Sequence, residues 1–341
     1  MKAVKLSEPK GEISVVDVAK PAPGEGEILV RLEASGLCYT DVHICDDDWA
    51  MFNPLVKRDL TLGHEAVGII EELGPGVTDR RVGDRIAAPF LRTACGACKQ
   101  CRRGEENHCP NVTILGMSHD GSHADYFLAV SAFVVPVPDG VSPEQAAPLV
   151  CAGMSVLGGL RNAGVTIGTS LGIIGVGGQG HLAIQIAKAM GADVVAMDLR
   201  SEKLDMALRL GADHAVNVAD PDALGELTNY GMDVVMVTAP SHEAHALALA
   251  VVANGGTISL CAVPGGETPI SMAMCAFKGL RLLTQAVATR QELADVLQLA
   301  ARGLIRTEVE TRPLREAPKS IEQLRNAEVV GRIVFVPDPA T

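Results

Sequence analysis

The chain has 341 residues, 48% hydrophobic and 21% charged, which is enough apolar material to fill more than one core. Its formal net charge of −12 has the wrong sign for gripping phosphate backbones and argues against a nucleic-acid partner. No apolar run approaches the ~18 residues of a membrane span, and Met1–Pro9 holds no long apolar stretch, so a cytoplasmic protein with no membrane partner is expected.

Residues 1–150 carry short runs of strand-forming residues at Glu27–Leu32, Ala66–Glu72, Arg85–Ala88, Tyr126–Val130 and Phe133–Val137. Gly and Pro turns separate them, which predicts a mostly-β domain, in effect a partly open barrel.

Within this region the cysteines cluster. The chain has nine, an odd number that favours thiols or metal ligands over a disulfide framework. Cys95, Cys98, Cys101 and Cys109 fall within fifteen residues. Four soft thiolates on one short loop can close a tetrahedron around Zn2+, and because they fill its coordination shell the predicted site is structural. Lys99, Arg102 and Arg103 lie in or beside this knuckle and are expected to offset its negative charge.

The middle of the chain reads as a nucleotide-binding unit. An apolar strand, Ser170–Val176, runs into Gly175-Val176-Gly177-Gly178-Gln179-Gly180 and then a helix over His181–Met190. A second strand, Asp193–Met197, ends in Asp198. Gly175, Gly177, Gly178 and Gly180 permit a tight turn and close approach of a pyrophosphate, whose charge the helix N-terminus favours. Asp198 suits a ribose diol and repels a 2′-phosphate, which favours NAD, while Arg200 keeps NADP open as the alternative. Strands at Met232–Val237 and Thr257–Leu260, with a helix at Glu243–Val252, continue the α/β alternation to about residue 285.

The order of these parts, nearly end to end, resembles the zinc-dependent medium-chain alcohol dehydrogenases, and most closely their tetrameric yeast and bacterial branch. Three further segments carry the likeness: Gly36-Leu37-Cys38-Tyr39-Thr40-Asp41-Val42-His43; Gly63-His64-Glu65-Ala66-Val67-Gly68; and Ala147-Pro148-Leu149-Val150-Cys151-Ala152-Gly153. The resemblance implies an α/β chain with a GroES-like mostly-β catalytic domain (1–151 and 286–341). A Rossmann domain, a doubly wound parallel sheet binding NAD, would fill 152–285. It implies two Zn2+ per chain, the second held by Cys38, His64 and Cys151, which leave one position open for a substrate oxygen. It also implies proton transfer through Thr40 and His43, orientation of His64 by Asp41, an acid at Glu65 near the metal, and a pyrophosphate contact from Arg332. Trp49 and Phe90 match pocket positions, and the expected assembly is a homotetramer acting on a small alcohol or aldehyde.

Two positions depart from close relatives. Tyr39 stands where a basic residue is usual, which predicts weaker NADH binding. Phe90 replaces a tryptophan, which predicts room for alcohols bulkier than ethanol. Rival readings are a related zinc reductase acting on polyols, a zinc-free quinone reductase, and a non-catalytic NAD-binding sensor. The first would need a glutamate as third ligand, whereas Cys151 stands here; the complete ligand set disfavours the second.

Overall fold

The computed structural model describes residues 1–285 and 287–338; the expected boundary residue 286 and the last three positions lie outside the described residues. The chain divides into two compact units, one made of Met1–Met154, Val287–Gly303 and Thr307–Thr341, the other of Ser155–Ala286 and Leu304–Arg306.

The first unit is the β-rich one. Its main sheet is organised by Glu27–Gly36, which pairs antiparallel with Glu65–Leu73, Tyr126–Val130 and Arg332–Val336. Arg85–Ala88 and Val135–Pro136 extend one side, and Val309–Pro313 the other. Along the central strand Ile28, Val30 and Leu32 enter the core at period two, and meet Ile70, Ile86, Phe127 and Phe335 there. The strand expected at Phe133–Val137 shortens to Val135–Pro136, because Ser131–Phe133 forms a 3₁₀ turn and Pro136 and Pro138 lack ladder donors.

Register in this sheet matters for the site. Gly36 pairs with Glu65 on one side and with Val334 on the other. Three sequence-distant segments therefore converge at the end of the Glu27–Gly36 strand.

The second unit is a six-stranded parallel sheet in the order His214–Asn217, Asp193–Asp198, Ser170–Ile174, Met232–Val237, Val252–Leu260, Arg281–Thr284. Numbered along the chain, this is 3-2-1-4-5-6, a doubly wound parallel sheet as the resemblance implies, and its reversal point lies beside Ser170–Ile174. That strand stops at Ile174, two residues short of the expected end, because Gly175 adopts φ +94° and turns the chain out of the sheet. The helix Gly180–Ala189 follows, buried along nearly its whole length.

Candidate metal centres and nucleotide loop

The knuckle forms a closed cluster. The sulfurs of Cys95, Cys98, Cys101 and Cys109 all lie within 4.8 Å of one another. Those of Cys95 and Cys101 are 4.0 Å apart, close to the ~3.8 Å edge of a tetrahedron with Zn–S bonds of about 2.3 Å. Backbone N–H groups point at the sulfurs, from Cys98 to Cys95 at 3.3 Å and from Asn111 to Cys109 at 3.4 Å. The amides of Ala97 and Cys98 lower the Cys95 thiol to about 6, so it is a ready thiolate. Lys99, Arg102 and Arg103 are exposed, and Arg103 is paired with Glu105 at 3.2 Å.

The second cluster is assembled from the convergence point of the sheet. Cys38 precedes the helix Tyr39–Asp46, His64 precedes the strand Glu65–Leu73, and Cys151 follows the 3₁₀ segment Ala147–Val150. Their donor atoms and a carboxylate oxygen of Glu65 lie within 4.8 Å of one another. The Cys38 and Cys151 sulfurs are 4.0 Å apart, again a tetrahedral edge for zinc. Neither ring nitrogen of the fully buried His64 has a hydrogen-bond partner, so the imidazole is free to give a lone pair to a metal. The donor set therefore fits zinc. The Cys151 thiol, with His64 and Arg332 nearby, draws the Cys38 thiol well below its usual pKa and favours the thiolate.

Asp41 sits behind this cluster. It accepts from the Cys38 backbone N–H at 3.0 Å and from that of Gly63 at 3.2 Å, with Nδ1 of His64 at 3.5 Å. Burial alone would raise its carboxyl, but the His64 and His123 imidazoles outweigh that and hold it well below the usual range. Glu65 is ion-paired with Arg332, which also donates to the carbonyl of Leu37 at 2.8 Å. Burial works to raise the Glu65 carboxyl, and the Arg332 guanidinium opposes it.

His43 is buried, and its Nδ1 lies 2.6 Å from Asp48. The Trp49 ring lies over it at 4.3 Å, and Tyr39 meets it edge-on at 4.9 Å. Thr40, half-buried, stands in the first turn of the same helix. The Phe90 ring meets His64 edge-on at 5.2 Å. Reading the sequence did not single out Asp48, although it directly precedes Trp49. Nor did it single out His123, which carries no local signal at all.

In the second unit the nucleotide loop has the expected form. A Cβ on Gly180 would lie 1.9 Å from the carbonyl of Gly175, so the helix can pack this closely only on glycine. A Cβ on Gly177 would meet nothing within 4 Å, which leaves that face of the loop free for a phosphate. Gln179 gives the helix no side-chain cap, whereas Ser241 and Asp220 cap theirs; the His181 and Leu182 amides turn back to the carbonyls of Gly177 and Gln179 at 3.2 and 3.1 Å, which draws the loop tightly round the helix N-terminus. Asp198 is fixed at the end of its strand, where it accepts from Val176 N–H at 2.7 Å. The residues fit a dinucleotide.

The fold and the two clusters together define a zinc-binding dehydrogenase. The alcohol dehydrogenase GroES-like domain family matches residues 24–139, and the zinc-binding dehydrogenase family matches residues 178–302. An alcohol dehydrogenase of Geobacillus stearothermophilus is 40% identical over 340 residues, covering 99% of this chain and all of the relative. The crystal structure of the alcohol dehydrogenase from the archaeon Aeropyrum pernix superposes with a TM-score of 0.90 at 31% identity, covering 99% and 100% of the two chains. A structure described as an NAD-dependent alcohol dehydrogenase gives 0.88 at 28% identity, covering 98% of this chain and 99% of that one. The chain belongs to the zinc-dependent medium-chain alcohol dehydrogenase family.

Proposed function

We propose that the chain interconverts primary or secondary alcohols with aldehydes or ketones, using NAD, at the Cys38–His64–Cys151 cluster. The observation that carries this reading is the contrast between two clusters of one chain. One presents four sulfurs; the other presents two sulfurs and a buried imidazole, with its fourth member, Glu65, engaged by Arg332, which leaves a tetrahedral position for a substrate oxygen. Zinc held by Cys38, His64 and Cys151 would supply the acidification of an alcohol hydroxyl, and NAD bound at the glycine loop would supply the hydride acceptor.

The protein's own groups do the rest. The Asp41 carboxylate, 3.5 Å from Nδ1 of His64, favours the tautomer with the proton on Nδ1 and so leaves Nε2 as the donor to the metal. The Thr40 hydroxyl receives the substrate proton and passes it toward Nε2 of His43, whose Nδ1 is held by Asp48. The glycines at 175, 177, 178 and 180, with Asp198, hold the dinucleotide; Arg332, expected at its pyrophosphate, is instead buried and engaged by Glu65 and the Leu37 carbonyl, and acts on the site through them. Trp49 and Phe90 line the substrate pocket, and the small Phe90 ring admits alcohols larger than ethanol.

The assembly is a cytoplasmic homotetramer. Among the described residues no helix is long and apolar enough to cross a membrane. Support for self-association comes from the end strand Arg281–Thr284 and the apolar side chains near it in sequence. Phe277 is 91% and Met272 72% exposed. Light scattering should give four chains per particle.

The test of function pairs metal analysis with a substrate panel of ethanol, hexanol and benzyl alcohol read by NADH absorbance, with NADP in parallel. Two zinc ions per chain and NADH formation fastest with the larger alcohols are expected. A single ion per active chain, or no alcohol-dependent NADH, overturns the reading.

A further inference from the structure

His123 is a fully buried, titratable side chain with no part in the chemistry above. Its backbone is clamped to the segment that delivers His64: its N–H donates to Leu62 at 2.8 Å, and that of Ser122 to Gly63 at 3.0 Å. The ring lies against Gly63 so closely that a Cβ there would stand 2.5 Å from Nδ1. Gly63 itself has φ +97°, so both backbone and space at this position require glycine.

The ring's two nitrogens face different partners. Nδ1 is 2.8 Å from the Ser35 hydroxyl, which is 2.8 Å from that of Ser122; all three residues are buried. Nε2 has no hydrogen-bond partner and faces Oδ2 of Asp41 at 3.7 Å. Phe335 packs edge-on against the ring at 4.9 Å and fixes its plane. One proton arrangement satisfies the chain of groups. Ser122 donates to Ser35, Ser35 donates to Nδ1, and Nε2–H points at the carboxylate.

The geometry points to His123 as a positioning residue of the catalytic metal site, acting through Asp41 on His64 and Cys38. The Asp41 carboxylate is surrounded by four groups: the Cys38 and Gly63 amides and the His64 and His123 rings. Three of them belong to or adjoin metal donors. His123 is the fourth, and it ties the carboxylate to the sheet behind through Ser35 in the strand Glu27–Gly36. It keeps the carboxylate from rotating away from His64. Groups that orient a metal-bound histidine in this way typically cost 10–100-fold in metal affinity or activity when removed. This inference rests on the proposed zinc site.

The experiment uses the zinc-loaded full-length protein and measures zinc release to a chelating dye in the parent, His123→Phe, His123→Gln and Ser35→Ala. The knuckle ion serves as internal control. His123→Phe keeps the volume but loses the donor, and should release one ion per chain at least ~10-fold faster while the knuckle ion leaves at its parental rate. His123→Gln carries an N–H near the Nε2 position and should restore slow release, with kcat recovering in step. Ser35→Ala should speed release in the same direction, and it covers the case in which His123→Phe does not fold. Parental release rates in His123→Phe or in Ser35→Ala overturn the inference, as does equal acceleration in the Phe and Gln variants, which would make the ring a packing element. A parent protein that holds only one ion per chain would instead refute the zinc site itself.

Discussion

Nδ1 of His43 lies 2.6 Å from Oδ2 of Asp48, and the Trp49 ring covers the imidazole on one face. A carboxylate at that distance fixes the tautomer with the proton on Nδ1 and leaves Nε2 as the acceptor. Asp48 is itself a third exposed, with side-chain accessibility of 34%, so the dyad reaches solvent. Asp48→Ala should lower kcat for alcohol oxidation about 10–100-fold, with both zinc ions retained, within the range spanned by general acid–base groups. Asp48→Asn keeps an acceptor oxygen and should remain within a few-fold of the parent. Steady-state kinetics of the two variants decide; full activity in Asp48→Ala would remove Asp48 from the relay.

The two metal clusters should fail in different ways. Cys98→Ala opens a closed structural site and should cost one ion per chain together with a clear drop in Tm, since structural zinc contributes directly to folding. Cys151→Ala should also leave one ion, but with a smaller change in Tm and a loss of kcat of at least ~1000-fold. Metal content by emission spectroscopy, thermal melts and turnover separate the two.

Asp198 is placed to select the cofactor by charge. Its carboxylate is anchored by the Val176 amide at 2.7 Å and the Leu199 amide at 2.8 Å, so it cannot swing away from a 2′-phosphate. Asp198→Asn removes the repulsion and keeps an acceptor for the loop. The ratio of kcat/KM with NADP to that with NAD should rise about tenfold or more. An unchanged ratio would assign selection to other residues.

The Glu65–Arg332 pair is fully withdrawn from water, at 0% and 5% exposure. Glu65→Leu leaves a buried guanidinium without its counter-charge and should destabilise the protein by about 3–5 kcal/mol in denaturant titration. Adding Arg332→Met should restore most of that stability, because an apolar pair of similar volume avoids desolvating two charges. If the single variant is as stable as the parent, the pair carries no structural weight.

How much of this was legible in the sequence depends on how far apart the interacting groups lie along the chain. The four-cysteine knuckle could be read from spacing, because its donors sit on one short loop whose closure costs little. The glycine loop was equally readable, since strand, turn, helix and the acid at Asp198 follow in order, whereas the strand order of the parallel sheet came from the fold. The open cluster was different. Cys38, His64 and Cys151 are 26 and 87 residues apart and were identified only through the family resemblance of their segments.

Tertiary structure decided the rest, and strand register was the means. The pairing of Gly36 with Glu65 and Val334 sets Cys38 beside His64 and brings Arg332 onto Glu65. The sequence by itself determined which residues could bind a metal or a nucleotide, because that is a property of side-chain chemistry and short loops. Which of them meet behind the site, Asp41 with His123 and Glu65 with Arg332, was decided by the folded sheet, because those contacts exist only once distant strands are paired in a single register.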